Sequence, residues 1–530
     1  MRKMSGWRRW LLAIIFLWGW GYVGQASAQG GTPAGAEFVP GEVLVQWRAE
    51  APAADALLAR VDAVRLDRIE ALRVDRLRVP VGRELDAIAR LQADPRVSYA
   101  EPNYLARAAY LPNDPSFGLQ WNLSQISAPQ AWDVAADASG VRVAIIDSGA
   151  DLDHPDLGVR QRLAYGYNYF CDDTIPYFCD DMILDDEAGH GTHVLGILSA
   201  VTDNAQGVAG LAWNVRLLLY KVLDASGVGT SADVAAAIVS ARDNGAHIIN
   251  LSLTLSGDSQ TVANAVNEAA NAGVLLVAAA GNGNSSVAYP AAYPQVLAVA
   301  ATSSQDRRAW YSNRGPEIDV AAPGGLAEGQ IYSALPRSKG TYGYKYGTSM
   351  AAPHVSALAA LIWSLDPSLT RDQVRQIILD TADKVDSATY PYVNGRNDYL
   401  GYGRINAHLA LRRALPPVLT ASPPQLDVAL PAAQPTAIRS VWLTNQSLQA
   451  TTWQAQVVAG GSWLTLNPPT SGALTYPSQA PLILAINATG RPPGLHVGVV
   501  RMTTDRGQQL DIRVQLLLYV HQVMVPVMAR

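Results

Sequence analysis

Between residues 121 and 415 the chain alternates short, continuously apolar runs with helical patterns, and that rhythm limits the folds open to it more than any other feature. Residues 141–147, 215–223, 248–253 and 274–279 read as strands. Residues 232–244 and 262–272 read as helices, the first capped by Ser231 and closed by Gly245, the second stopped by Gly273. Strands apolar on both faces and separated by helices belong to an α/β fold with a parallel sheet covered on both sides. Ligands bind such sheets beyond the carboxyl ends of the strands, so reactive side chains are to be sought there.

Smaller units flank this region. In residues 37–108, Val43, Val45 and Trp47 alternate, 53–64 and 84–91 are helical, and Leu77, Val79, Val97 and Tyr99 alternate again, giving a short α/β sandwich. The Pro-rich run 416–424 reads as a linker. Beyond it, residues 425–520 carry short alternating segments, the pattern of an all-β immunoglobulin-like sandwich without a catalytic constellation. Residues 521–530 form an apolar tail with no assigned role. A length of 530 residues, 49% of them hydrophobic, accommodates this division.

A net charge of −5 without basic clusters excludes nucleic acid as a partner. Arg2, Lys3, Arg8 and Arg9, the apolar stretch 10–23 and Ala26-Ser27-Ala28 stand in the order of a secretory signal. Residues 1–28 are therefore expected to be removed, leaving no stable membrane span and a secreted, extracellular protein; an uncleaved anchor is the alternative. In the oxidising compartment this implies, Cys171 and Cys179 read as one disulfide around an acidic loop, with two free thiols as the other reading.

Three motifs place a reactive side chain beside small residues: Ile146-Asp147-Ser148-Gly149 at a strand end, His190-Gly191-Thr192-His193-Val194 opening a helix, and Gly347-Thr348-Ser349-Met350-Ala351-Ala352-Pro353-His354. A serine hydroxyl needs an adjacent base, and a histidine base needs a carboxylate to fix its tautomer; Ser349, His190 and Asp147 can fill those roles. Ser349 begins a helical run, with Pro353 expected in its first turn, so the Ser349 N–H can face negative charge on a carbonyl oxygen. Asn282, directly after Ala279-Ala280-Gly281, offers a second donor. His154, His193 and His354 read as structural.

In the order Asp, His, Asn, Ser, these motifs resemble the subtilisin-like serine endopeptidases, most closely their thermitase-like branch, and Gly401-Tyr402-Gly403-Arg404-Ile405-Asn406-Ala407 resembles the family's closing segment. The resemblance implies hydrolysis of polypeptides through a Ser349–His190–Asp147 triad and an acyl-enzyme, with residues 111–415 as the peptidase. Residues 29–110 would be a ferredoxin-like propeptide that assists folding and inhibits the enzyme until it is cut between Ala106 and Asp114; Asp94-Pro95-Arg96-Val97 and Ala100-Glu101-Pro102-Asn103 are similar to family motifs. A substrate would add as a strand between Ser226-Gly227-Val228-Gly229 and Ser252-Leu253-Thr254, with Ala279 and Gly281 beside it. Thr254-Leu255 departs from the glycine pair usual there, and Tyr289-Pro290 resembles a position where the bond is cis.

The same resemblance implies a structural calcium ion held by the side chains of Asp114, Asp156 and Asn204 and the backbone oxygens of Val201, Gln206 and Val208; an ordinary turn is the other reading. For the acidic run Asp172, Asp173, Asp180, Asp181, Asp185, Asp186 and Glu187, three readings stay open: a second calcium, a negative field that favours basic substrates and raises the His190 pKa, or plain solvation. Residues 425–520 resemble BACON-type immunoglobulin-like modules in Ser462-Trp463-Leu464-Thr465-Leu466-Asn467-Pro468 and Gly494-Leu495-His496-Val497-Gly498. That implies a spacer or a polysaccharide or cell-surface contact, with Trp463 either core or sugar platform. The chain is expected to act as a monomer. An inactive scaffold carrying a binding sandwich and a serine-carboxyl peptidase with a Glu base are the competing readings; the intact catalytic residues argue against the first and His190 at its helix start against the second.

Overall fold

The computed structural model describes residues 38–48, 54–80, 83–104, 111–170 and 184–520. The expected signal, the tail, residues 105–110 of the expected cleavage zone, and Cys171 and Cys179 with Asp172, Asp173, Asp180 and Asp181 lie outside the described residues.

Strands β1 (Phe38–Trp47), β2 (Val64–Ile69), β3 (Val74–Arg78) and β4 (Val97–Tyr104) form an antiparallel sheet in the order β2-β3-β1-β4, with helices Ala54–Arg60 and Glu84–Gln92. This β-α-β-β-α-β succession is ferredoxin-like. The helix expected over 53–64 stops at Arg60, and Val64 opens an additional strand. β2 pairs only with β3 and is largely exposed, so its charged residues face solvent and mask the apolar alternation.

β5 (Arg142–Asp147), β6 (Leu163–Asn168), β7 (Arg216–Lys221), β8 (Ile248–Leu251), β9 (Leu275–Ala279), β10 (Val296–Thr302) and β11 (Ile318–Pro323) form the central sheet in the order β11-β10-β9-β8-β5-β7-β6. Every pairing is parallel. Val143 and Ile145 of β5 enter one core with helices Gly191–Ser199 and Thr348–Leu365; Ala144 and Ile146 enter the other with Ser231–Asp243 and Gln260–Asn271. The period-two alternation of a strand thus serves two helical layers at once. Thr230, not Ser231, caps Ser231–Asp243, its side chain accepting the Asp233 N–H. Thr348–Leu365 is long and apolar enough to cross a membrane, yet it is buried in the core, which explains why it is apolar on all sides.

Two sheets of four and five strands between Leu419 and Tyr519 make the carboxy-terminal sandwich. The run expected to be a linker contains a strand, Leu419–Ser422, paired with Thr436–Asn445. The sandwich is docked on helix Ala407–Ala414: the Arg412 guanidinium donates to Gln446 and lies 4.7 Å from the Tyr476 ring centre, while the Leu448 N–H donates to the Arg412 carbonyl. Trp463 is 2% exposed in the sandwich core, which removes it as a sugar platform.

Candidate active site

Asp147 closes β5 and is fully buried. Its Oδ1 accepts the Ser148 N–H at 2.8 Å and, at 2.7 Å, hydrogen-bonds His190 Nδ1. Two glycines let the strand end meet the helix that follows His190. Gly149 has φ +102°, and a Cβ on Gly191 would stand 2.1 Å from the Gly149 carbonyl oxygen. Burial disfavours charge on His190, but the Asp147 carboxylate outweighs it and lifts the imidazole pKa above its ordinary value. Asp147 Oδ2 has no hydrogen-bond partner among the described residues, so the imidazole is the group that answers this carboxylate's charge.

Asp186 is a fixed part of this junction, and its charge also helps to raise the His190 pKa. Its Oδ1 accepts Ser148 Oγ–H and the Gly189 N–H, each at 2.7 Å, and its Oδ2 accepts the Thr192 N–H at 2.8 Å. Ser148 Oγ accepts the Gly191 N–H at 2.9 Å. The carboxylate thereby satisfies the first turn of the His190 helix and ties it to the residue after Asp147. Glu187 pairs with the buried ammonium of Lys221. Among the described residues no group of three or more His, Cys, Asp or Glu is arranged to hold a metal ion, and Asp172, Asp173, Asp180 and Asp181 lie outside them.

Ser349 lies in the first turn of Thr348–Leu365, where its N–H has no partner among the described residues. Pro353 falls in the second turn, not the first. It has no N–H to give the Ser349 carbonyl, and Ser252 Oγ–H fills that place at 2.9 Å. Ser252 Oγ in turn accepts Asn250 Nδ2–H at 2.9 Å, and Asn250 Oδ1 accepts Ser356 Oγ–H at 2.9 Å. Ser252, expected only at the substrate, therefore also pins the Ser349 backbone.

Asn282 Oδ1 accepts both the N–H and the Oγ–H of Thr348 at 2.9 Å, which leaves Nδ2 as the free end of the amide. Thr348, not singled out in the sequence, thus sets which way Asn282 points. The Gly281 N–H donates to Thr348 Oγ1 at 3.1 Å.

His190, Asn282 and Ser349 together line a cleft of about 850 Å³ whose other walls include Ser226, Gly227, Val228, Ser252, Leu253 and Thr254. Ala279 and Gly281 do not line it: Ala279 is buried at the end of β9, and Gly281 is committed to Thr348. No hydrogen bond joins Ser349 Oγ to His190 among the described residues; such bonds often tighten only when substrate is bound. The Tyr289–Pro290 bond is cis.

Away from the cleft, Asp114 and Asp156 meet loop 201–208. Asp114 Oδ2 accepts the Asp203 N–H at 2.8 Å; Asp156 accepts the Val208 N–H and Asn204 Nδ2–H, both at 2.8 Å. Burial pushes Asp156 up to about 6 despite these bonds, with the Asp114 charge adding to the rise, and burial also raises Asp114. The carbonyl oxygens of Val201, Gln206 and Val208 accept no hydrogen bond among the described residues. Two buried carboxylates and three free carbonyls form an oxygen set suited to a hard divalent cation. Asn204 turns its amide nitrogen toward Asp156, an orientation that a cation would reverse.

An Asp–His pair at the carboxyl edge of a parallel sheet, sharing a cleft with a serine at a helix start, is the arrangement of a serine-type peptidase. A family model described as "Subtilase family" matches residues 138–403, and one described as "Fervidolysin N-terminal prodomain" matches residues 25–103. The thermophilic serine proteinase of Bacillus sp. (strain AK1) is 40% identical over 378 residues, covering 71% of this chain and 88% of the relative. Thermitase of Thermoactinomyces vulgaris is 41% identical over 305 residues, covering 57% of this chain and all (100%) of thermitase. A solved protease structure from Pseudoalteromonas arctica PAMC 21717 is similar with TM-score 0.50 at 33% identity, over 57% of this chain and 100% of that one. The chain belongs to the subtilase family: it is a subtilisin-like serine endopeptidase with an amino-terminal prodomain.

Proposed function

We propose that the protein is exported, cuts off its own prodomain, and hydrolyses polypeptides through Ser349, His190 and Asp147. Ser349 Oγ attacks the peptide carbonyl as His190 Nε2 takes its proton; Asp147 holds the imidazole tautomer and stabilises the imidazolium. His190 then gives that proton to the leaving amine, and a water molecule that it activates releases the acyl group. Asn282 Nδ2–H and the Ser349 N–H donate to the oxyanion. The observation that carries this reading is the 2.7 Å contact between half-buried His190 and buried Asp147 at a cleft also lined by Ser349. Treating processed, calcium-replete protein with a serine-directed phosphonofluoridate and mapping the adduct tests it. Modification at Ser349 is expected; no adduct, or one that persists in His190→Ala, would discard the triad.

Export rests on the signal-like order of residues 1–28, and self-processing on the prodomain that precedes the peptidase. The prodomain is proposed to inhibit the enzyme until cut. Any surface or polysaccharide contact of the sandwich, and its BACON-type character, rest on sequence motifs alone.

Calcium is proposed at Asp114, Asp156, Asn204, Val201, Gln206 and Val208, where it would neutralise two buried carboxylates and tie residue 114 to loop 201–208. Chelation is then expected to remove about 3 kcal/mol, the linkage from a ligand at a hundredfold excess over Kd, or roughly 5–10 °C in melting temperature. Asp156→Asn should melt at the same temperature with or without calcium. In chelator at neutral pH it should melt above the wild type, because it removes a carboxylate whose ionised form burial disfavours, its pKa being pushed up to about 6. Thermal unfolding of inhibitor-blocked protein measures both; a variant still stabilised by calcium would refute the site.

A further inference from the structure

β12 (Ile331–Ala334) and β13 (Tyr342–Lys345) form an antiparallel hairpin that ends shortly before the Ser349 helix. The end of this hairpin lines a second recess, of about 370 Å³, which shares His190, Asn282 and Ser349 with the main cleft. Its distinctive wall is Tyr344, Lys345 and Tyr346. The two tyrosines are 52% and 46% exposed, large apolar side chains held open to solvent on either side of a lysine. Apart from His190, Lys345 is the only titratable cation in the lining of this recess, and no carboxylate lines it.

Lys345 is half-buried, and its ammonium makes no ion pair or hydrogen bond among the described residues. Its charge is therefore available to a ligand that enters the recess. Its field reaches the reacting groups: it opposes protonation of His190 and of the buried His193 behind it. The main cleft has the opposite polarity. Its one carboxylate is the exposed Asp258, and no lysine or arginine lines it.

Under the function proposed above, on which this step rests, the acyl half of the substrate lies between segments 226–229 and 252–254. The amine half must then leave through the second recess. We infer that Lys345 is a specificity-determining residue for the leaving-group side, selecting substrates with an aspartate or glutamate at the first or second residue after the cleaved bond. Because Lys345 is itself half-buried, the pairing is stronger there than on open surface.

A peptide library with a constant acyl-side sequence and the first two leaving-side residues varied, read by mass spectrometry of the products, tests the assignment. Wild type should cleave peptides carrying an acidic residue at one of these positions with kcat/KM about fivefold or more above those carrying lysine there. The ratio should shrink in molar salt. Lys345→Glu should reverse the preference and Lys345→Met abolish it, while charge preferences at the acyl-side positions stay with Asp258 and do not move. Cleavage without an acidic preference, or a preference that survives Lys345→Met, overturns the inference while leaving the peptidase reading intact. Absence of any cleavage, together with absence of a Ser349 adduct, would overturn that reading and this inference with it.

Discussion

Ser349→Ala and His190→Ala are each expected to lower kcat by about a millionfold, and the double variant to be no worse than either, the scale set by the subtilisin triad itself. The non-additivity is the informative part. A hydroxyl without its base is a poor nucleophile, and a base without its hydroxyl has nothing to activate, so removing one already removes the function of the pair. Asp147→Asn should lose less, about ten-thousandfold, because the remaining groups still act on a mispositioned imidazole. These variants are to be processed by an unrelated, removable protease, since they would not process themselves. The pH profile gives an independent sign. His190 must be neutral to accept the proton, and burial lowers its pKa less than the Asp147 carboxylate raises it. Activity should therefore fall, as pH drops, at a value above the ordinary histidine pKa of about 6.5. In Asp147→Asn the remaining acid limb should move down. Independent, multiplicative losses, or an acid limb that ignores Asp147, would refute coupling among the three residues.

The central fold was legible because burial on both faces writes itself into local sequence. Strands such as Leu275–Ala279 are continuously apolar, and Gln260–Asn271 ends where Gly273 makes the reverse turn easy. Val64–Ile69 was not legible for the converse reason: an exposed edge strand need not be apolar, and Arg65, Asp67 and Arg68 conceal it. Within the site, the reactive residues announced themselves by motif, whereas the groups that hold them did not. Ser252 reaches the Ser349 carbonyl from 97 positions away, and Ser148 and Asp186 are 38 apart. Such contacts depend on how strands are ordered in the sheet, which local periodicity does not encode. One signal was available. A proline four residues after Ser349 in a helix leaves the Ser349 carbonyl without its usual N–H, so some distant donor had to exist. The acidic run before His190 had three open readings, and local periodicity could not choose among them. Of its described members, Asp186 is hydrogen-bonded three times and also raises the His190 pKa, Glu187 is paired with Lys221, and Asp185 lies in the field of Arg160 and Arg337.

Asn282→Ala is expected to lower kcat by about 10²–10³-fold with KM little changed, a loss of about 2.7–4 kcal/mol, the scale of subtilisin's own oxyanion-hole asparagine. The asymmetry follows from when the bond is made. A donor aimed at the tetrahedral oxyanion meets the planar carbonyl of bound substrate only weakly, so its removal raises the barrier without loosening the substrate. Thr348 determines how well that donor is aimed. Its hydroxyl and its N–H both hold Asn282 Oδ1, and only the hydroxyl is lost in Thr348→Val. The amide then keeps one tether and can swing, and the expected loss is about tenfold, the equivalent of one neutral hydrogen bond. A peptide boronate, which forms a tetrahedral adduct with the serine, should lose affinity in parallel with kcat in both variants, whereas affinity for a cleaved peptide product should hold. Were Thr348→Val to lose as much as Asn282→Ala, the hydroxyl would itself be a donor to the oxyanion. Were neither to change kcat while both raised KM, these residues would bind substrate and transition state alike, and the oxyanion assignment would fall.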